Sequence, residues 1–299
     1  MVFVALAYLI SWLTFTLLAL NHRQLIFLFP DDAAHARLQD VWHSFGALGP
    51  VLAAWITLRL FYSKENRRQF RTGYSVKKLS WKGWLFSFSP LLIFAVSLVV
   101  SRILQQEWFD FFRFFQNNDL MHPASLLAWF LPILFYGFGE EGGWRGYALP
   151  ALQARFSALK ATAVLSVIWI CWHIASFFYR YELKGMAYIG FALGIFAGAI
   201  WLTFLINYTK GSILAVSLWH MMFNAVSMMG KDEAVLSASM SVLVMFLAAF
   251  VWIRYRGKDL SPFQKTILQT GLVSLDTSIP TPAGRTKVLI SQPEKGGRE

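Results

Sequence analysis

Long apolar runs alternate with short polar segments along most of this chain, and the runs are similar in length. A transmembrane helix needs about 20 consecutive apolar residues. The sequence contains eight runs near that length, and we predict that each is a membrane-spanning helix. The predicted fold class is therefore an all-α polytopic membrane protein. The approximate bounds of the runs are 2–20, 42–62, 83–104, 125–149, 160–179, 186–206, 211–229 and 234–253.

The composition supports a membrane location and argues against a nucleic-acid-binding protein. Of the 299 residues, 57% are hydrophobic and 14% are charged, whereas soluble domains contain about 25% charged residues. The net charge of +11 comes from basic residues that collect in a few loops and in the C-terminal tail. This distribution fits the excess of Lys and Arg in the cytoplasmic loops of membrane proteins. We expect the lipid bilayer as a partner, and no nucleic acid.

The distribution of basic residues also predicts the orientation in the membrane. The loop 63–82 contains seven basic residues and one acid. In an eight-span arrangement, eighteen Lys and Arg residues lie on the side of this loop and six lie on the opposite side. Both termini are therefore expected in the cytoplasm, with the protein in a bacterial plasma membrane. Residues 1–256 form the predicted membrane domain, and the polar tail 257–299 is expected to be disordered.

Three charged residues lie inside one predicted span, in the stretch FGEEGGWRGYALP. An ionised group at this depth costs at least about 2.5 kcal/mol and usually faces a polar interior. On a helix, Glu141 and Arg145 are four residues apart and can pair. Glu140 projects about 100° away around the helix and has no such local partner. A group on another helix is therefore expected to meet Glu140.

Two histidines and an asparagine are the candidate partners. His173 and His220 lie within the fifth and seventh predicted spans, and Asn224 shares a helix face with His220 because it follows four residues later. Counting about 1.5 Å per residue from the cytoplasmic end of each span, Glu140 and His220 lie about 14 Å deep. By the same count His173 and Asn224 lie about 20 Å deep. The pattern predicts a buried polar cavity in the cytoplasmic half of the bilayer.

Glycines are concentrated in two of the predicted spans. Five surround the acids, and three more recur at four-residue spacing in the sixth span. Around the acids, the missing side chains either leave room for water or a substrate or let helices approach closely, and the two interpretations are compatible. The stripe in the sixth span is typical of close helix packing. The two groups are Gly137, Gly139, Gly142, Gly143 and Gly146, and Gly190, Gly194 and Gly198.

The polar residues supply the groups needed to hydrolyse a carbonyl compound. A carboxylate beside an imidazole can deprotonate water, and a second imidazole with an amide N–H can stabilise the oxyanion that forms. Glu140 and His173 match the first pair, and His220 and Asn224 match the second. Taken singly, each residue is explained by polar contacts that hold helices together. Two acids, an arginine, two histidines and an asparagine at matched depth favour catalysis instead.

A zinc site is the alternative chemistry for the same residues. Glu140, His173 and His220 form a recognised set of zinc ligands. The sequence contains no HExxH motif, however, and the fourth polar group is an amide, which is a poor zinc ligand. We therefore predict hydrolysis without a metal or other cofactor, with zinc or another divalent metal as the alternative.

At these residues the chain resembles the CPBP (Abi) intramembrane proteases, a family that includes the type II CAAX prenyl endopeptidases. The family's first motif, EExxxR, corresponds to residues 140–145 here. The second, usually FxxxH, corresponds to residues 169–173, with Trp169 in place of phenylalanine. The third, HxxxN or HxxxD, corresponds to residues 220–224. The order and spacing of the motifs match the family, and eight spans suit its fold.

The resemblance implies an intramembrane endopeptidase. Its expected substrate is a prenylated CAAX-like peptide or another membrane-associated peptide or protein. The family also contains non-proteolytic immunity and scaffold proteins, and such a role is the alternative function. The implied site consists of Glu140 and His173 for activating water, His220 and Asn224 for the oxyanion, and Glu141 and Arg145 for orientation and charge balance.

Overall fold

The computed structural model describes residues 1–28, 32–180 and 183–268. No β-strand occurs within these ranges, and the fold class is all-α, as predicted. The α-helices are α1 (Val2–Leu28), α2 (Asp32–Gly46), α3 (Gly49–Phe61), α4 (Lys64–Thr72), α5 (Trp81–Ser87), α6 (Ser89–Gln105), α7 (Phe111–Asn117), α8 (Pro123–Phe135), α9 (Glu141–Gly143), α10 (Leu149–Gln153), α11 (Ala158–Trp172), α12 (Ala187–Tyr208), α13 (Ile213–Met229) and α14 (Ala234–Tyr255). Tyr136–Glu140 and Trp144–Ala148 are π-helical, and Val76–Lys78 and His173–Phe178 are 3₁₀ helices.

The chain is an integral membrane protein, but fewer helices pass the length and hydropathy test than the eight predicted. Among the described residues, five helical stretches are long and apolar enough to cross a membrane, and the bent pair α5–α6 makes six if it forms one span. The predicted spans 125–149 and 211–229 do not correspond to helices that pass this test. The first is divided into short consecutive helical segments, and the second is the 17-residue α13. Both carry predicted site residues. In the first, the glycines around the two acids coincide with the π-helical turns that break the regular α-helix.

Serine side chains mark the start of four helices on the side predicted to face the cytoplasm. The hydroxyls of Ser63, Ser80, Ser157 and Ser212 each accept a backbone N–H from three residues later, at 3.2–3.3 Å. These N–H groups have no partner inside the helix, so each cap contributes about 0.5–2 kcal/mol. The caps therefore fix where α4, α5, α11 and α13 enter the bundle.

The segments between residues 123 and 153 follow one another directly and form one irregular helix, which we call the central helix. Pro132 lies inside its first segment, where it removes a backbone hydrogen bond. Further along, two π-helical turns flank Glu141–Gly143 and change which side chains share a face. The central helix packs against α2, α3 and α13, and residues 139–150 are all buried. The two acids therefore lie in the middle of the bundle.

The start of the predicted tail is packed against the bundle. Leu260 and Leu268 are buried, and Nζ of Lys265 donates to the carbonyl of Phe156 at 2.9 Å. The packed part of the chain therefore extends past the boundary predicted at residue 256, because these side chains find apolar and hydrogen-bonding partners at the helix ends. Residues 269–299 lie outside the described residues, and the expected disorder of that part of the tail stays a prediction.

The glycine stripe of α12 does not mark close packing among the described residues. A Cβ atom added at Gly190, Gly194 or Gly198 would have no heavy atom within 4 Å. The three glycines face open space instead of a neighbouring helix. The prediction of close helix packing at this stripe is therefore wrong within the described part of the chain.

Candidate active site

The glycines of the central helix let neighbouring helices approach closely. A Cβ atom at Gly139 would lie 2.3 Å from the carbonyl oxygen of Ala47, and one at Gly143 would lie 2.3 Å from Cβ of Pro50. No side chain fits at such distances unless α3 and the turn before it move away. Of the two interpretations of these glycines, the structure supports close approach, because atoms of α3, of α13 and of the segments beside them fill the space that the missing side chains leave.

Glu141 is the centre of a buried ion-pair cluster. Nη1 of Arg145 lies 3.0 Å from Oε1 of Glu141, and both side chains are fully buried. Nδ1 of His220 lies 2.8 Å from the same oxygen. The pairing of Glu141 with Arg145 is as predicted, but the histidine of α13 meets Glu141 and not Glu140. An ionised carboxylate only accepts hydrogen bonds, so Nδ1 of His220 carries a hydrogen, and Nε2 has no hydrogen-bond partner among the described residues.

Glu140 is held by a neutral donor. The indole N–H of Trp169, on α11, donates to Oε2 of Glu140 at 2.7 Å. Glu140 is 4% exposed, and no described residue forms a hydrogen bond with its other oxygen, Oε1. A partner on another helix exists, as predicted, but it is neither a histidine nor Asn224. Glu140 is thus a buried carboxylate with one oxygen fixed and one available.

His173 begins the 3₁₀ segment that follows α11. Its Nδ1 lies 2.8 Å from the carbonyl oxygen of Trp169. A carbonyl only accepts, so Nδ1 carries the hydrogen and Nε2 of a neutral ring is left as an acceptor. The rings of Trp172 and Phe191 lie 4.9 and 5.3 Å from the imidazole and restrict its movement. Glu140 and His173 do not bond to each other directly, and Trp169 connects them through its side chain and its main chain.

Asn224 is the predicted site residue that the structure does not join to the others. It lies one turn after His220 on α13 and is half-buried. Its side chain makes no hydrogen bond with any described residue. The other five predicted residues form one connected set, and Asn224 is placed beside them only by the helix face that it shares with His220.

Comparison with known proteins finds similarity in the part of the chain that carries these residues. Residues 122–226 match the family model for type II CAAX prenyl endopeptidase Rce1-like proteins. A curated relative, CAAX prenyl protease 2 of Methanococcus maripaludis, is 32% identical over 106 residues. That alignment covers 32% of this chain and 39% of the relative.

The segment 122–226 is therefore similar to the Rce1-like type II CAAX prenyl endopeptidases. All three motifs lie within it, so the family predicted from them is confirmed. The chain spans about two fifths of the length of its relative. Helices α1–α7 and α14 lie outside the Rce1-like segment, although α3 and α2 pack directly against its central helix.

The described residues of the Rce1-like segment do not form a metal site. In the described ranges, no group of three His, Cys, Asp or Glu side chains is placed to hold a metal ion. Glu140, His173 and His220, the set considered as zinc ligands, therefore do not fit a metal as they are arranged here. The expectation that hydrolysis requires no metal stays a prediction.

Two residues that support this site are not among the site residues predicted from the sequence. Trp169 carries no ionisable group, and its signal in the sequence is its place at the start of the second motif, where it replaces phenylalanine. His43 lies at the end of a predicted span, yet it is buried, with Nδ1 2.5 Å from the hydroxyl of Tyr179. Tyr179 directly follows the 3₁₀ segment that starts at His173. His43 therefore helps to hold that segment in place.

Proposed function

We propose that this chain is an intramembrane endopeptidase that hydrolyses a peptide bond with a water molecule activated by Glu140. One observation carries the proposal. Glu140 lies next to a fully buried ion-pair cluster, yet its own carboxylate is held only by a neutral N–H and keeps Oε1 available. A carboxylate in this state can take a proton from water. The Rce1-like match supports a peptide bond as the target.

In the proposed reaction, Oε1 of Glu140 takes one proton as the water oxygen attacks the peptide carbonyl carbon. Nε2 of His173 accepts a hydrogen bond from the same water and orients it. The oxyanion that forms is stabilised by an N–H of His220 and by the side-chain amide of Asn224. Glu140 then donates its proton to the leaving nitrogen as the C–N bond breaks, which restores the carboxylate.

The ion-pair cluster prepares His220 for the oxyanion role. Because Nδ1 already donates to Glu141, donation from Nε2 requires the doubly protonated ring. The carboxylate of Glu141 compensates that charge at 2.8 Å. Arg145 shares the same carboxylate oxygen, so both cationic side chains of the cluster are paired with Glu141.

The proposed substrate is a peptide with a prenylated cysteine in a CAAX-like sequence, or another membrane-associated peptide. The family description and the name of the relative support this class. The test is cleavage by the purified protein in lipid vesicles, with a farnesylated peptide and its unprenylated counterpart, followed by mass spectrometry of the released fragment.

The decisive variant is Glu140→Gln, which keeps an acceptor for Trp169 but removes the base. We expect the cleavage rate to fall by about 10²–10⁴, with an unchanged melting temperature. Glu107→Gln, at an exposed position outside the site, is the matched control. Cleavage by Glu140→Gln at the parental rate refutes the assigned role. A parent protein that cleaves neither peptide favours the non-proteolytic immunity or scaffold role instead.

We also propose that the reaction requires no metal. The support is chemical, since an amide is a poor zinc ligand and the available carboxylate and imidazoles do not group around one point. Elemental analysis of active protein tests this. One zinc per chain, lost together with activity on chelation, would overturn the proposal.

The proposed location is a bacterial plasma membrane, with both termini in the cytoplasm and the bilayer as a partner. The excess of basic residues in the loop 63–82 and in the tail supports this orientation. Reporter fusions within residues 63–82 and after Arg256 should both report the cytoplasm. If they report opposite sides, the proposed orientation is wrong.

A further inference from the structure

Trp169 contacts four of the six predicted site residues, although it has no ionisable group. Its N–H donates to Glu140, and its main-chain carbonyl lies 2.8 Å from Nδ1 of His173. Its ring lies beneath the guanidinium of Arg145, with Cζ 4.2 Å from the ring centroid. The imidazole of His220 meets the same ring edge-on, with centroids 5.9 Å apart. Trp169 is therefore the residue through which the otherwise separate parts of the site are connected.

The indole N–H determines how the Glu140 carboxylate is turned. The two oxygens of a carboxylate are chemically equivalent, so only an external contact can distinguish them. Trp169 supplies that contact to Oε2, and Oε1 has no hydrogen-bond partner among the described residues. Leaving a buried carboxylate oxygen without a hydrogen-bond donor costs free energy. Without the indole N–H, the carboxylate would therefore turn towards another donor.

Arg145 provides the competing donors. Its Nε and Nη2 are buried and have no hydrogen-bond partner within the described part of the chain. The Trp169 ring covers the guanidinium of Arg145 with its face and holds Glu140 with its edge. The indole thus keeps Glu140 from forming a second carboxylate–guanidinium pair, which would neutralise the proposed base.

We infer that Trp169 is a positioning residue of this site: its N–H fixes Oε2 of Glu140, so that Oε1 faces the water and the carboxylate stays apart from Arg145. The inference rests on the proposed function. Phenylalanine, the usual residue of the family motif at this position, could cover Arg145 by a cation–π contact but has no hydrogen to donate. The tryptophan of this chain therefore adds a contact that the usual motif lacks.

Two replacements of Trp169 separate the hydrogen bond from the shape of the ring. Trp169→Phe introduces the usual residue of the motif, and 3-benzothienylalanine keeps the two fused rings but has sulfur in place of the N–H. For both we expect kcat to fall by about 10- to 100-fold. KM should change by less than about twofold, because the contact acts on the base and not on substrate binding.

Trp219→Phe is the matched control. Trp219, the residue before His220 on α13, is also buried, but its N–H donates to Oγ of Ser89 at 3.0 Å and not to a site residue. This control should lower the melting temperature and leave kcat unchanged. A parental kcat for the benzothienyl protein overturns the inference. If Trp169→Phe does not fold, the benzothienyl protein, which conserves the ring volume, decides alone.

A measurement without substrate keeps this test separate from the proposed function. In protein labelled with ¹⁵N at the indole nitrogens, the Trp169 signal is the one missing from the benzothienyl protein. We expect that signal to shift in Glu140→Ala and to stay in place in Glu107→Gln. If the parent protein cleaves no peptide, the proposed function fails and this signal decides the inference. An unshifted signal in Glu140→Ala overturns it.

Discussion

Two helices of this protein are rich in glycine, with irregular spacing in the central helix and four-residue spacing in α12, and the glycines have opposite surroundings. In the central helix, a Cβ atom at any of the five glycines from Gly137 to Gly146 would lie within 2.1–2.7 Å of a neighbouring atom. On α12, a Cβ atom at Gly190, Gly194 or Gly198 would meet nothing within 4 Å. Glycine spacing alone therefore does not reveal close packing, since the partner surface must also be present.

The two helices also differ in the polar groups that they bury. The central helix buries the ion pair of Glu141 and Arg145. On α12, the buried hydroxyl of Thr203 donates to the carbonyl of Ala199 in its own helix and contacts the hydroxyl of Thr162 at 2.8 Å. A hydroxyl can be satisfied by the helix that carries it, whereas a buried charge needs an opposite charge and further donors around it. Close packing supplies those neighbours to the central helix.

The largest effect is expected from Glu141→Gln, which leaves Arg145 and His220 without their carboxylate. Removing one partner of a buried ion pair costs about 3–5 kcal/mol. The corresponding polar change on α12, Thr203→Val, should cost about 1 kcal/mol. Thermal melting in detergent measures both. Equal stability of Glu141→Gln and the parent would remove the contrast between the helices, and Glu140→Gln serves as the control that should melt like the parent.

The next effect is expected from Gly143→Ala. The new Cβ atom would lie 2.3 Å from Cβ of Pro50 and 2.4 Å from its backbone carbonyl carbon, and the backbone of α3 can yield only by moving as a whole. Overpacking of this kind costs about 1–3 kcal/mol. Loss of stability and of cleavage should appear together, because the same helix carries Glu140. An unchanged melting temperature would show that α3 is not held against the central helix.

A smaller effect is expected from Gly142→Ala, one residue earlier. Its Cβ atom would meet side chains and not backbone, with the hydroxyl of Tyr74 at 2.2 Å and Cγ2 of Val51 at 2.7 Å. Burial raises the pKa of Tyr74, and the nearby Glu141 raises it further, so a neutral phenol has to move. We expect a loss of about 1 kcal/mol. A melting temperature of Gly142→Ala below that of Gly143→Ala would contradict this order.

The smallest effect is expected from Gly194→Ala on α12. No atom lies near the new methyl group, and alanine forms helix more readily than glycine, so the free energy of unfolding should rise by about 0.5 kcal/mol. Melting measures this change, and size-exclusion chromatography with light scattering records any change in assembly. A clear loss of stability would show that a surface outside this chain packs on the stripe, and the contrast with the central helix would then disappear.

Local features of this protein are readable from the sequence because helix geometry alone produces them. The pairing of Glu141 with Arg145 follows from four-residue spacing, and it is present. The apolar runs predict the all-α membrane fold. Five of the eight correspond to described helices that can span, or six if the bent pair α5–α6 is one span. The three motifs identify the Rce1-like segment because they record residue types at fixed spacing.

The partners that meet across helices were decided only by the tertiary structure. The pattern of apolar and polar residues places His220 and the two acids at similar depth. It does not show which of the two acids meets the histidine. Packing of α13 brings His220 to Glu141, and packing of α11 brings Trp169 to Glu140. Depth is a property of one helix and its residue count, whereas contact depends on how two helices are rotated against each other. That rotation is set by all the side chains between them, so it could not be read from any single span.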